Sequence, residues 1–111
     1  MKNFIMEGRT ITLTAPYALT SGQGFQVGSA FAVASNDAAI STDVEGVFEG
    51  VFNLTKATGA AWTQGVLIYW DNAAKNCTTT VATNKLIGVA TQAQLAGDTA
   101  GYVRLNGAFI S

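Results

Sequence analysis

Short apolar runs recur along the chain at a spacing of roughly ten residues, and clusters rich in Gly, Ser, Asn and Asp separate them. Residues 9–14 show the pattern most clearly, because Ile11 and Leu13 alternate with threonines in the period of a half-buried strand. Pro16 ends this run, since proline has no backbone N–H to donate to a sheet. The pattern predicts an all-β fold: a single small domain, a compact barrel or sandwich of short antiparallel strands with at most one short helical turn.

Further strands are predicted at residues 25–27, 30–34, 44–54, 66–70, 77–81, 86–90 and 101–105. The longest of them, residues 44–54, has two interior glycines, Gly46 and Gly50. Glycine inside a strand indicates a bulge or sharp bend, of the kind that small barrels need at their corners. A helix is the competing structure there, but repeated glycines beside β-branched residues make it a poor one.

Three segments carry more specific predictions. Residues 66–70 are apolar at every position and are therefore predicted to form a strand that is buried on both faces. Residues 77–81 are mostly polar and are predicted to form an edge strand. Residues 55–65 are the segment predicted to make a short helical turn, capped by Thr55 and closed by Gly65.

The length of 111 residues supports one domain. We interpret residues 1–8 as an N-terminal arm and residues 9–111 as a single β domain. Phe4, Ile5 and Met6 make the arm a candidate for addition to the sheet edge of a neighbouring molecule, and an ordinary frayed terminus is the alternative. No segment has the apolar core of a signal peptide or the roughly 18–20 apolar residues of a membrane span, so we expect an intracellular protein without a membrane partner.

Charged residues make up only 12% of the chain, about half of what soluble domains usually carry. The polar surface must therefore come mostly from hydroxyl, amide and backbone groups. Two interpretations stay open: a neutral, threonine-rich β surface, or a surface that oligomer contacts bury. The net charge is −1 and the six Lys and Arg residues are scattered. Because binding to nucleic acid normally needs clustered basic residues, no nucleic-acid partner is expected.

The sequence lacks the residue sets that most enzymes and metal sites use. It has no His and a single Cys, Cys77, which excludes His-based triads, His-based zinc sites and thiolate clusters. Glu45 and Glu49 could project from one strand face as a carboxylate pair, but such a pair is far more often a solvated face. Residues 22–28 are rich in glycine yet match neither dinucleotide-binding nor phosphate-binding loops. We therefore expect no enzymatic activity, no cofactor and no metal.

Three aromatic residues, Trp62, Tyr69 and Trp70, could form a stacking platform for a ligand. Neighbouring residues of a strand point to opposite faces, so Tyr69 and Trp70 should face in opposite directions. A core and interface role is therefore the favoured interpretation. The candidate site is an interface, and its candidate residues are Phe4, Ile5, Met6, Trp62 and Trp70.

Several turn-plus-strand pieces follow one another along the chain in a definite order: residues 1–8 (MKNFIMEG), 13–16 (LTAP), 20–22 (TSG), 27–28 (VG), 45–48 (EGVF), 65–71 (GVLIYWD), 86–90 (LIGVA), 97–99 (GDT) and 103–105 (VRL). Together they resemble a family of small tailed-phage and prophage proteins, classed as a domain of unknown function, whose members include capsid decoration, or cement, proteins. The resemblance extends over essentially the full chain. Each piece alone is a general turn-plus-strand signal, and the family has no catalytic motif to transfer.

The resemblance implies a β-rich homotrimer that sits on the outside of an icosahedral phage head and contacts the major capsid protein. Such a subunit would be made in the cytoplasm of the host bacterium. It would bridge neighbouring capsomers and stabilise the shell through many weak contacts repeated over a lattice. Two alternatives remain: another phage structural part, such as a tail or head–tail component, and a β-module that binds a surface of the host.

Overall fold

A computed structural model describes residues 10–106 of the chain. These residues form nine strands and no helix, which confirms the predicted all-β fold. The strands are β1 (Thr10–Thr14), β2 (Gly24–Val27), β3 (Ala30–Ala34), β4 (Asp43–Val47), β5 (Glu49–Thr55), β6 (Leu67–Asp71), β7 (Asn76–Thr78), β8 (Lys85–Ala90) and β9 (Ala100–Asn106). The predicted boundary between an arm and the domain falls outside the described residues.

The nine strands form two antiparallel sheets. One has four strands in the order β1-β4-β3-β2, and the other has five in the order β5-β9-β8-β6-β7. The five-stranded sheet curls so that its two edges touch at one isolated bridge, a parallel bridge between Lys56, just after β5, and Cys77 of β7. At this seam the backbone N–H of Ala57 donates to the carbonyl oxygen of Cys77 at 2.8 Å. The larger sheet is therefore a half-barrel, and β7 lies at its edge as the polar sequence of that strand predicted.

The longest predicted strand, residues 44–54, is two strands that belong to different sheets. The chain leaves the four-stranded sheet at the end of β4, passes through Phe48 and enters the five-stranded sheet with β5. Gly50 has a φ of 126°, a conformation that side-chain-bearing residues rarely adopt, so it supplies the predicted bend. Gly46 has another role, because a Cβ atom there would lie 2.8 Å from the Cβ of Ala32 in the packed interior. The predicted strand is interrupted because the chain crosses from one sheet to the other at Phe48, and strand periodicity alone did not locate this interruption.

The prediction of a helical turn at residues 55–65 is wrong. The segment consists of bends and turns with two isolated bridges, one at Lys56 and one at Trp62. Trp62 exchanges both backbone hydrogen bonds with Gln94, at 2.9 and 3.1 Å. Since these backbone groups bond to a distant loop, they cannot bond within a helical turn.

The prediction that residues 66–70 are buried on both faces is also wrong. Strand β6 buries Ile68 and Trp70 on its inner face, whereas Leu67 on the outer face is 48% exposed. Tyr69 is half-buried on the outer side, so Tyr69 and Trp70 face in opposite directions as predicted. The physical reason is that no described segment covers the outer face of the five-stranded sheet.

The core consists of two clusters of buried residues. The larger cluster fills the half-barrel and includes Trp62, Ile68 and Val103. It also takes in Phe31 and Val33 from β3, although that strand belongs to the four-stranded sheet. The ring of Phe31 packs against Trp70 with a centroid distance of 4.9 Å. The two sheets therefore share part of one interior.

Candidate interaction surface

The two carboxylates considered as a catalytic pair, Glu45 and Glu49, do not lie together. Glu45 lies on β4 and Glu49 on β5, in different sheets, and both are exposed. Glu45 accepts a hydrogen bond from the hydroxyl of Thr12, as a residue of an ordinary solvated sheet face does. Within residues 10–106, no group of three His, Cys, Asp or Glu side chains is placed to hold a metal ion. The described part of the chain also contains no helix that is long and apolar enough to cross a membrane.

Cys77 is completely buried at the seam of the half-barrel. Burial disfavours the thiolate and raises the pKa of the Cys77 thiol to about 12. The thiol therefore stays protonated at neutral pH, and a protonated thiol is a poor nucleophile and a poor metal ligand. This agrees with the interpretation of Cys77 as an ordinary strand residue.

The two tryptophans proposed as interface residues lie in the core of the single chain. Trp62 is 2% exposed and Trp70 is 3% exposed. Trp62 covers Gly101, and Trp70 donates its indole N–H to the side-chain oxygen of Asn72 at 3.1 Å. Their core role is thus established, whereas contact with a partner stays a prediction. The other three candidates, Phe4, Ile5 and Met6, lie outside the described residues.

A more exposed apolar surface occurs on the outer face of the five-stranded sheet. Register places Val51 of β5 opposite Arg104 of β9, Arg104 opposite Val89 of β8, and Val89 opposite Leu67 of β6. We call these four residues the outer row. Val51 is 55% exposed and Leu67 is 48% exposed. A row of apolar side chains across an exposed sheet face makes this face a candidate interaction surface.

The outer row borders a shallow depression of about 120 Å³. Leu86 and Val89 of β8 line it together with Leu67 and Arg104. Gly88, also in the lining, permits a close approach of two strands, because a Cβ atom there would lie 2.0 Å from the carbonyl oxygen of Arg104. The face therefore combines an apolar hollow with a single cation, a combination that suits contact with another protein.

Sequence reasoning missed this row because it depends on strand order. Val51 and Leu67 carry a weak signal, since each is an apolar residue on the face of its strand opposite to the core residues. That signal does not show that the strands bring the two residues to one surface. Tyr102 of β9 is also exposed, on the same face of the strand as Arg104. The remaining large exposed apolar residues, Ile40, Val81 and Leu95, lie in loops, which is ordinary for a protein surface.

Comparison with known proteins adds one finding. The sequence model of a family described as phage cement protein matches residues 5–105 of the chain. No curated protein and no solved structure matches. The family match includes both sheets and all four residues of the outer row.

Proposed function

Because the chain belongs to the phage cement protein family, we propose that it binds the outside of a tailed-phage head and stabilises the shell. Its partners are the major capsid protein and further copies of itself, which assemble as a homotrimer. It is made in the cytoplasm of the host bacterium and ends on the exterior of the virion. It works by binding alone and catalyses no reaction.

The observation that carries the proposal, beside the family, is the exposed apolar row on the five-stranded sheet. Val51 and Leu67 each expose about half of their side chain, so covering that half is worth about 1 kcal/mol per residue. This is a weak contact for one subunit. Repetition over a shell lattice, and three copies within one assembly, multiply it through effective concentration. We therefore assign the outer row to contact with the shell.

The N-terminal residues supply a second contact in this proposal. Register pairs Thr10 with Val47 and Asn106 with Glu49, on either side of Phe48. Thr10 and Asn106, the first and last described residues, therefore lie at the same end of the molecule. β1 is an edge strand of the four-stranded sheet, and exposed strand edges accept an added strand through backbone hydrogen bonds. We propose that residues 1–8 of one subunit add to such an edge of a neighbour.

The proposal is tested with heads that lack the protein. Purified protein should co-sediment with them and saturate at a fixed number of copies per head. Leu67→Lys places a charge in the outer row and should weaken binding by about tenfold or more. Leu95→Lys is the matched control, because Leu95 is 74% exposed in a loop outside the row, and it should bind like the unchanged protein.

Light scattering of the purified proteins, without heads, tests whether they form trimers. Saturable binding with selective loss in Leu67→Lys supports the proposal. Absence of binding by the unchanged protein would refute it, and binding to tails instead of heads would favour a tail or head–tail role. Equal binding by the Leu67→Lys and Leu95→Lys variants would show that the outer row does not contact the shell.

A further inference from the structure

A surface cleft of about 280 Å³ lies between the two sheets. Tyr17 and Gln23, from the loop before β2, form one side of it. Asn53 of β5 and Lys75 of the loop after β6 form the other side. The volume is at the lower limit for small-molecule pockets, so it suits a ligand about the size of one ring. No residue of the outer row lines this cleft, which makes it separate from the surface assigned to the shell.

Lys75 is held in place at the cleft. Its backbone has a φ of 59°, and its N–H donates to the carbonyl oxygen of Asp71 at 2.7 Å. The side-chain ammonium donates to the carbonyl oxygen of Asn72 and lies 4.7 Å from the ring centre of Tyr17. A cation fixed in this way loses little side-chain entropy when a ligand binds, and this favours affinity.

The charge at the cleft favours an anion. Among residues 10–106, Lys75 is the charged side chain of the lining, and no carboxylate of these residues lines the cleft beside it. Asp71 is near in sequence, but its carboxylate accepts from the backbone N–H groups of Ala73 and Ala74, both at 3.1 Å, within its own turn. An incoming carboxylate would therefore meet a cation without a competing acidic group in the lining.

The remaining polar groups of the cleft match hydroxyl groups. Gln23 and Asn53 provide amides and Thr55 a hydroxyl, and all three residues are exposed. An amide side chain both donates and accepts hydrogen bonds, as a pair of neighbouring sugar hydroxyls does. Gln23 is anchored at the mouth, because its side-chain oxygen accepts from the N–H of Thr20 at 3.0 Å.

We propose that this cleft binds one carboxylate-bearing sugar residue of an acidic polysaccharide. The carboxylate lies against Lys75, and the ring hydroxyls bond to Gln23 and Asn53. An acidic peptide added as a strand fits less well, because the hydroxyl of Tyr17 already donates to the carbonyl oxygen of Gly24 at the start of β2, at 3.0 Å. A peptide strand would have to displace that bond, whereas a sugar ring would not.

The test is a titration of the full chain with methyl galacturonoside, followed by NMR of the amides of Gln23 and Asn53 and the indole of Trp70. We expect saturable shifts with a Kd in the millimolar range. Methyl galactoside, the neutral counterpart, should bind about three to five times more weakly, as loss of one exposed ion pair predicts. Added salt should weaken the binding of the uronate and leave the affinity for the neutral sugar unchanged.

Lys75→Met should remove the preference for the uronate, and Lys85→Met, a lysine outside this cleft, should retain it. The salt dependence of the unchanged protein tests the same point if Lys75→Met does not fold. Equal affinity for the two sugars, absence of saturable shifts, or equally tight binding of acetate or a short acidic peptide would each overturn the proposal.

Discussion

Replacing Lys56 by Met should destabilise the domain, because the ammonium of this buried lysine donates hydrogen bonds to three backbone carbonyl oxygens. Its side chain is 2% exposed at the seam where the half-barrel closes. The ammonium donates to the carbonyl oxygen of Ala57 at 3.1 Å and to those of Ala96 and Asp98 at 3.4 Å each. It also lies 5.7 Å from the ring centre of Trp62. One side chain thus ties the end of β5 to the loop that precedes β9.

The magnitude follows from those three bonds. A hydrogen bond from a charged donor contributes about 1.5–3 kcal/mol net, and only the bond to Ala57 has ordinary length. The two longer bonds add less, and the carbonyl oxygen of Ala96 keeps a second donor in the N–H of Gly59 at 2.8 Å. Methionine restores part of the apolar contact of the lysine stem. We expect a net loss of about 2 kcal/mol, which lowers the Tm of a domain of this size by roughly 8–16 °C.

Urea and thermal unfolding at one fixed protein concentration measure this loss. Lys85→Met makes the same chemical change at a half-buried position on β8 and should shift stability by no more than about 0.5 kcal/mol. Hydrogen exchange gives a local measurement, since the N–H of Gly59 should exchange faster in Lys56→Met when its acceptor loop loosens. A Lys56→Met protein as stable as the unchanged one, with Gly59 equally protected, would refute the role assigned to the ammonium.

Two further predictions concern the core of the half-barrel. Gly101→Ala should destabilise the domain by about 2–3 kcal/mol in thermal unfolding, because its Cβ would lie 2.3 Å from a ring carbon of Trp62. Gly97→Ala is the control, because no described atom beyond its chain neighbours lies within 4 Å of the added Cβ; equal stability of the two variants would contradict this packing. Stability should also fall as pH rises from 9 towards 12, because the Cys77 thiol ionises in the unfolded chain near its ordinary pKa of 9.0 but in the folded chain only at about 12. The slope is at most about 1.4 kcal/mol per pH unit, and urea midpoints at alkaline pH should fall less in Cys77→Ala; parallel decreases would argue against the buried thiol.

Strand positions could be predicted from the sequence where local patterns decide them. Alternation at Ile11 and Leu13 located β1, and Gly28, with a φ of 59°, lies in the break between the strands predicted at residues 25–27 and 30–34. Gly50 indicated a bend in the long run of residues 44–54. These features depend on neighbours within a few residues, so a single sequence contains the information they need.

The candidate surface could not be predicted in the same way. The outer row exists only because β5, β9, β8 and β6 are adjacent, and that order is set by contacts between residues far apart in sequence. Lys56 shows the same limit, since it was placed in a helical turn while its acceptors include Ala96 and Asp98, about forty residues away. The tryptophans were correctly expected to pack in the core, yet their depth of burial depends on both sheets.

The temperature at which genome-filled heads release their DNA tests the cement role most directly. The measurement compares heads that lack the protein with the same heads after saturation by purified protein. We predict that saturated heads release DNA at a higher temperature, and that Leu67→Lys at the same concentration gives a smaller increase than Leu95→Lys. Release at the same temperature with and without bound protein would contradict a role in stabilising the shell.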